Sequence, residues 1–226
     1  MLLPITLKPK NLYIFVNGIL SDPGLATAWT DRACTWIQEN CDNSWAEKFE
    51  YLSGIFLRRL TQARHACDLM QLLNSYLEDN KRWNIHLVGH SNGCDLIIRS
   101  LNSYNGCYGC QPTIQSLHLV AAACEADFER NLLNNSLAFG CLHSLHTYEG
   151  GKDKALAWAK LTRWLTLGLA GYGDLGLAGP SQVRDNVRGL IHRHREPTFG
   201  HSTWFDAEHF ESTMRLIVGS PQEKHY

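Results

Sequence analysis

The sequence has no long apolar run, no export signal and no excess of charge of either sign. None of its 226 residues lie in an apolar stretch near the roughly 18 residues that a membrane span requires. The start, MLLPITLKPKNLYIFV, lacks the basic, apolar and small-residue layout of a signal peptide. A formal net charge of -1 provides neither a basic surface for nucleic acid nor an acidic tail. We therefore expect a soluble, cytoplasmic protein that has no membrane span and binds no nucleic acid.

The eight cysteines form no recognisable set of metal ligands or disulfides. Most of them lie in apolar helix or strand patterns, where a reduced cysteine behaves as a small hydrophobe. Cys107 and Cys110 form a C-x-x-C pair, but no second pair completes the four ligands of structural zinc. Residues 171–176 match a dinucleotide fingerprint in form only, because a helical pattern precedes them and Pro180 follows. We expect neither a metal nor an organic cofactor.

Hydrophobic residues make up 44% of the chain and charged residues 19%, which is enough to build a packed core. Apolar runs typical of buried strands alternate with stretches of helical periodicity. The predicted strands are 12–16, 49–52, 85–88, 117–122, 142–148 and 190–194, and the predicted helices are 26–41, 55–80, 95–104, 155–167 and 205–218. This alternation predicts a single α/β domain, 1–226, in which helices cover both faces of a mostly parallel sheet in three layers.

The strand predicted at 85–88 runs directly into the pentapeptide GHSNG, which places Ser91 between two glycines. A strand that turns at once into a helix needs tight backbone geometry, and glycines at 89 and 93 remove the Cβ clashes there. The turn exposes the serine hydroxyl at a helix N-terminus, where free N–H groups favour negative charge. Functional loops of such sheets follow the carboxyl ends of the strands. Ser91 is therefore the candidate nucleophile.

A serine nucleophile needs a base to take its proton. His201, in the segment TFGHSTWF, follows the last predicted strand and precedes the last predicted helix. His194 and His209 are its rivals, since they flank the same region. We predict His201 as the base because its loop lies at the carboxyl edge of the sheet.

The base in turn needs an acid that orients it. Asp153, in YEGGKDKAL, follows the strand predicted at 142–148 and stands just before a helix. Asp127, in CEADF, follows an earlier strand and is an alternative, and Glu149 is a weaker one. With Asp153 as the acid, the chain order is Ser91, Asp153 and His201.

The pentapeptide GHSNG, the loop GGKDKAL and the loop FGHSTWF together resemble the α/β-hydrolase superfamily, whose triad follows the same chain order. The resemblance runs from residue 12 to about 210. It implies an α/β-hydrolase fold with little or no cap domain. It also implies a serine hydrolase that cleaves a small-molecule carboxylic ester without a cofactor. A thioesterase, a lipase, an amidase or a non-catalytic binding protein on the same fold are the alternatives.

The same resemblance implies an oxyanion hole made by backbone amides. One donor is the amide of Asn92, which follows the nucleophile, and the second is expected from the loop after the first strand. We place the second donor on Ile19, with Gly18 and Leu20 as alternatives. Family members commonly have His-Gly at the position where this chain has Asn17 and Gly18.

The remaining predictions concern the substrate pocket. The side chains expected to line it are Asn17, Leu20, His90, Tyr172 and Trp204. The segment 168–180 contains five glycines and is predicted as a lid or pocket-wall loop. The sequence carries no signal for an oligomeric state.

Overall fold

One parallel sheet organises the chain. The computed structural model describes residues 10–18, 28–51, 58–78, 83–108, 112–157 and 173–219. Its six strands lie in the order β2-β1-β3-β4-β5-β6, and every neighbouring pair is parallel. The strands are β1 (Lys10–Val16), β2 (Ser44–Phe49), β3 (Trp83–His90), β4 (Ser116–Val120), β5 (Leu145–Gly150) and β6 (Ile191–Glu196). The predicted α/β class with a parallel sheet is confirmed.

Helices cover both faces of this sheet. They are α1 (Ala28–Asn40), α2 (Arg58–Glu78), α3 (Asn92–Tyr108), α4 (Leu133–Ala138), α5 (Leu175–Ala178) and α6 (Phe210–Val218). Short 3-10 helices span Asp185–Leu190 and Thr203–Phe205. No helix in the described part of the chain combines the length and apolar character needed to cross a bilayer.

The core has two halves, one on each face of the sheet. Strand β1 supplies both, because successive side chains point to opposite faces. Leu12 and Ile14 join the cluster that contains the buried faces of α2 and α3. Tyr13 and Phe15 join the cluster that contains α1 and α6. The sheet is thus the middle of three layers, and within the described ranges no inserted subdomain interrupts it.

The second strand lies earlier than predicted, at 44–49 instead of 49–52. It forms an edge of the sheet, so only one of its faces needs apolar residues. Trp45 is exposed whereas Ala46 is buried. The segment SWAEKF therefore lacks the continuous apolar run that marks the central strands.

The described half of the glycine-rich segment is a packed element. Leu175 of α5 is fully buried, and a Cβ on Gly173 would overlap the Cys124 carbonyl. Amides of Leu175 and Gly176 donate to the carbonyls of Cys124 and Ala122, in the loop after β4. Residues 173–180 thus pack against the loop after β4 and form part of the protein core. Residues 168–172 lie outside the described residues, so the lid interpretation stays a prediction there.

Candidate active site

Ser91 lies in a sharp turn between β3 and α3. Its backbone φ is 55°, in the left-handed region that non-glycine residues rarely adopt and that costs about 1 kcal/mol or more. Two hydrogen bonds hold this conformation: the Ser91 amide donates to the Val120 carbonyl, and the Ala123 amide donates to the Ser91 carbonyl, each at 3.0 Å. The end of β4 therefore locks Ser91 in place.

The glycines beside Ser91 are required by close packing. A Cβ on Gly89 would lie 2.9 Å from the Cys94 nitrogen, so the strand could not approach the first turn of α3. A Cβ on Gly93 would overlap the carbonyl oxygens of Val16 and Asn17 at the end of β1. The helix N-terminus thus rests directly on the neighbouring strand end.

His201 and Asp153 are brought together from the loops after β6 and β5. The distance from His201 Nδ1 to Asp153 Oδ2 is 2.8 Å, and the Asp153 side chain is fully buried. Asp153 Oδ1 accepts the Leu156 amide at 2.9 Å, which fixes the plane of the carboxylate. A carboxylate only accepts, so Nδ1 carries the proton and Nε2 is left as the acceptor.

Backbone contacts join the two loops that carry this pair. The Lys152 amide donates to the Phe199 carbonyl at 2.9 Å, and the Gly151 amide donates to the Glu196 carbonyl at 3.0 Å. A Cβ on Gly150 would lie 2.7 Å from the Phe199 oxygen. The glycines of YEGGKD thus allow the acid loop to lie against the histidine loop.

The rival acids are engaged elsewhere. Asp127 Oδ1 accepts the amides of Glu129 and Arg130, as in a local turn, and its other oxygen faces Arg130. Glu149 is buried under a bidentate ion pair with Arg193, with two contacts of 2.7 Å. Within the described part of the chain, neither carboxylate contacts a histidine. Both are bound in structural interactions.

The rival histidines also have other partners. His194 Nε2 lies 3.2 Å from His146 Nδ1, and its ring stacks on Tyr148. His209 Nδ1 lies 2.9 Å from Asp206 Oδ1 in an exposed pair close in sequence. His194 therefore belongs to the sheet face, and His209 belongs to a local turn whose amides are capped by Asp206.

His90 links the serine turn to the histidine loop. Its Nε2 lies 3.0 Å from the His201 carbonyl oxygen, and the two imidazole centroids are 5.1 Å apart. Burial, followed by the nearby His201, lowers the pKa of His90 to about 4. The ring is thus neutral near pH 7, and Nε2–H donates to the carbonyl. The sequence placed His90 in the pocket wall, and nothing in its spacing indicated this contact.

The Ser91 side chain faces the end of β1. A Cβ built on Gly18 would lie 2.8 Å from Ser91 Cβ and 3.3 Å from Ser91 Oγ, so only glycine fits there. Within the described residues, Ser91 Oγ forms no hydrogen bond with the imidazole of His201. The serine turn and the histidine loop are connected by the hydrogen bond from His90 to the His201 carbonyl.

The loop after β1 is held by the side chain of Asn17. Asn17 Oδ1 accepts the Gly18 amide at 2.8 Å and the Trp29 indole N–H at 2.7 Å. The Gly18 amide is therefore engaged and not free to bind an oxyanion. Ile19 and Leu20 lie outside the described residues, so their roles stay predictions.

The first amide of α3 has the position expected of an oxyanion donor. Asn92 opens the helix directly after Ser91, and the first N–H groups of a helix have no partner within it. The Asn92 amide thus has no partner within α3 and lies at the positive end of the helix dipole.

Trp204 does not line an open pocket. Only 2% of its surface is exposed, and its ring packs edge-on against Tyr148 and Phe199. A large apolar ring next to the histidine loop stabilises that loop by burial, which the sequence pattern did not distinguish from exposure to substrate. Tyr172, the other aromatic predicted for the pocket, lies outside the described residues.

Comparisons with known proteins identify the fold. No protein-family model and no curated protein sequence matches the chain. A protein of Bacillus cereus ATCC 10987 superimposes with a TM-score of 0.59 at 12% identity, over 93% of this chain and 60% of its own length. A protein of Agrobacterium vitis S4, provisionally classed as a hydrolase, gives 0.56 at 13% identity, over 92% and 87%. The type II thioesterase BorB from the borrelidin biosynthetic cluster gives 0.52 at 12%, over 93% and 92%.

These similarities agree with the structure itself. The parallel sheet, the serine turn after β3 and the Asp153–His201 contact beyond β5 and β6 are the features that the sequence motifs predicted. At such low identity the likeness concerns the fold and not the substrate. The chain has the α/β-hydrolase fold.

Proposed function

We propose that the protein is a serine hydrolase that cleaves a carboxylic ester through an acyl-enzyme intermediate. Ser91 is the nucleophile, His201 the base and Asp153 the orienting acid. The observation that carries this proposal is the 2.8 Å contact between His201 Nδ1 and Asp153, at the sheet edge where Ser91 occupies its left-handed turn. No cofactor takes part in the proposed reaction.

The proposed reaction begins with attack of Ser91 Oγ on the ester carbonyl carbon. His201 Nε2 takes the serine proton as the new C–O bond forms, and Asp153 stabilises the imidazolium through Nδ1–H. The tetrahedral intermediate then breaks its bond to the alcohol, which leaves with the proton from Nε2. Water repeats the sequence on the acyl-enzyme, releases the carboxylic acid and restores Ser91.

The oxyanion of each tetrahedral intermediate is assigned to backbone amides. The Asn92 amide at the N-terminus of α3 is the first donor, and Ile19 is the proposed second. Loss of one such donor ordinarily costs about 3 kcal/mol of transition-state stabilisation. The hydrogen bond from Ser91 to His201 is expected to form when substrate binds, as in many sites whose catalytic contacts tighten in the complex.

Covalent labelling tests this proposal directly. A fluorophosphonate should modify the purified protein, and peptide mapping should find the adduct on Ser91. Ser91→Ala and His201→Ala should each abolish labelling and lower hydrolysis of p-nitrophenyl esters by several orders of magnitude. Undiminished hydrolysis by the Ser91→Ala protein would refute the proposal.

A thioesterase is the second candidate function, favoured by the structural similarity to the type II thioesterase BorB. The same Ser91 and His201 would attack a thioester carbonyl and release a thiol. Oxygen esters and thioesters with matched acyl chains of increasing length separate the two candidates by kcat/KM. Failure of both series together with absent labelling would identify a non-catalytic binding protein.

A further inference from the structure

Tyr51, which follows β2, bridges the end of β1 and the start of α3. Its hydroxyl oxygen is 2.9 Å from the Asn17 carbonyl oxygen at the end of β1. It is also 3.3 Å from Asn92 Nδ2 at the start of α3. One side chain thus contacts the residue before the Gly18 loop and the residue after the nucleophile.

Proton counting fixes the direction of both hydrogen bonds. A phenol has one proton, and a backbone carbonyl can only accept. The Tyr51 hydroxyl must therefore donate to Asn17 and accept from the side-chain NH2 of Asn92. This arrangement orients the Asn92 side chain and connects it to the end of β1 through the Tyr51 hydroxyl.

The same two residues are central to the site in other respects. Asn17 Oδ1 accepts the Gly18 amide and the Trp29 indole N–H, so the Asn17 side chain fixes the position of Gly18 at the end of β1. The Asn92 backbone amide is the first proposed donor. Gly93 already rests against the carbonyls of Val16 and Asn17. The Tyr51 hydroxyl adds two hydrogen bonds to this contact between β1 and α3. Unlike packing, hydrogen bonds have a preferred direction and so oppose displacement of α3 along β1.

We infer that Tyr51 is a positioning residue for the oxyanion hole, and this inference rests on the proposed function. Its hydroxyl holds the end of β1 and the first residue of α3 at one separation, which keeps the Asn92 amide, the first proposed donor, in a fixed position relative to β1. Donors act well only at about 2.7–3.1 Å from the developing oxyanion. A looser link therefore weakens transition-state binding more than substrate binding.

Tyr51→Phe removes the hydroxyl and keeps the ring. The phenyl group retains the packing that Tyr51 makes with Phe49 and His65, whose ring centroids lie 6.1 and 5.3 Å away. We expect kcat for the best p-nitrophenyl ester to fall about tenfold. This is less than the loss that follows complete removal of an oxyanion-hole donor, because the Asn92 amide is displaced and not removed. KM should stay within about twofold, because the link acts mainly on the transition state. Affinity for phenylboronic acid, which forms a tetrahedral adduct with the serine, should fall by the same factor as kcat.

Tyr104→Phe is the matched control. The Tyr104 hydroxyl donates to Asn74 Oδ1 at 2.9 Å, further along α3 and about 18 Å from its start. The substitution removes the same group from another tyrosine–asparagine contact, so it should lower thermal stability to a similar extent. It should leave kcat and boronic acid affinity unchanged.

A double-mutant cycle adds a second readout. Asn92→Ala removes the other end of the link and keeps the backbone amide, so it should also lower kcat about tenfold. Combined with Tyr51→Phe, it should lower kcat little further, because both variants break the same link. Additive losses in the double variant would overturn the inference.

Failure of the inference and failure of the proposed function are distinguishable. If wild-type protein hydrolyses esters and Tyr51→Phe keeps wild-type kcat and boronic acid affinity, the positioning role is refuted and the hydrolase remains. An equal fall in kcat for Tyr104→Phe would also refute it, since the loss would follow from general stability. If the wild-type protein neither hydrolyses esters or thioesters nor takes up the fluorophosphonate, the proposed function itself fails.

Discussion

Acidification from pH 7 to pH 5 should destabilise the fold through a row of histidines on the α1 and α6 face of the sheet. His86, His118 and His146 lie on the adjacent strands β3, β4 and β5. Ser116 Oγ bridges His86 Nδ1 and His118 Nε2 at 2.7 and 2.8 Å. The rings of His118 and His146 stack with centroids 4.4 Å apart. Such close rings have no room for the charge and hydration that protonation brings.

The direction of the effect follows from the depressed pKa values. Burial lowers the pKa of His86 to about 4. Burial and the neighbouring histidines lower the pKa of His146 to about 3 and that of His118 well below its ordinary value. The unfolded chain therefore takes up protons first as the pH falls below about 6.5, and the free energy of unfolding decreases. The loss continues until the pKa values of the folded state are reached.

The size of the effect can be worked out per histidine. Each such histidine lowers the free energy of unfolding by about 1.4 kcal/mol for each pH unit below about 6.5. Between pH 7 and pH 5 this amounts to about 2 kcal/mol per histidine. Three groups give about 6 kcal/mol. Partial exposure of His86 and His146 screens part of this, so we expect these three histidines to contribute about 4 kcal/mol. That is a large share of the roughly 5–15 kcal/mol by which domains are ordinarily stable.

Urea unfolding followed by circular dichroism at pH 7, 6 and 5 measures this change. His86→Phe keeps the stacking on Tyr13, whose centroid is 4.5 Å away, and should reduce the difference between pH 7 and pH 5 by about 1 kcal/mol. His143→Gln, at an exposed histidine, is the control and should leave the difference unchanged. An equal pH dependence in wild type and His86→Phe would refute the reasoning.

Two further predictions follow from contacts in the site. Asp153→Asn should lower kcat about 10⁴-fold by favouring the wrong tautomer of the base, whereas Asp127→Asn, at a local turn, should retain near wild-type ester hydrolysis; the reverse ranking would reassign the acid. Gly93→Ala should cost more than about 3 kcal/mol in the free energy of unfolding, because its Cβ overlaps the backbone carbonyls of Val16 and Asn17 at the end of β1. Gly189→Ala, where a Cβ meets no atom within 4 Å, should change it by less than about 0.5 kcal/mol, and similar urea midpoints for both variants would contradict this account.

Much of the fold could be predicted from the sequence because its physical causes are local. A strand buried on both faces must be apolar along its length, as in β1, where residues 12–16 are all buried. The edge strand β2 escapes that rule, and its predicted position was wrong by several residues. The glycines at 89 and 93 could also be interpreted from sequence, because a strand that turns directly into a helix leaves no space for a Cβ.

The sequence by itself thus determined the alternation of strands and helices, the turn that presents Ser91 and the strand ends where partners were to be sought. Only the tertiary structure decided which partners meet. Asp153 and His201 are 48 positions apart, and their contact depends on the parallel pairing of β5 with β6 and on two glycine-bearing loops. The link from Tyr51 to Asn17 and Asn92 and the burial of Trp204 likewise depend on neighbouring strands and loops. Such contacts depend on the relative positions of distant backbone segments, which no local pattern of residues encodes.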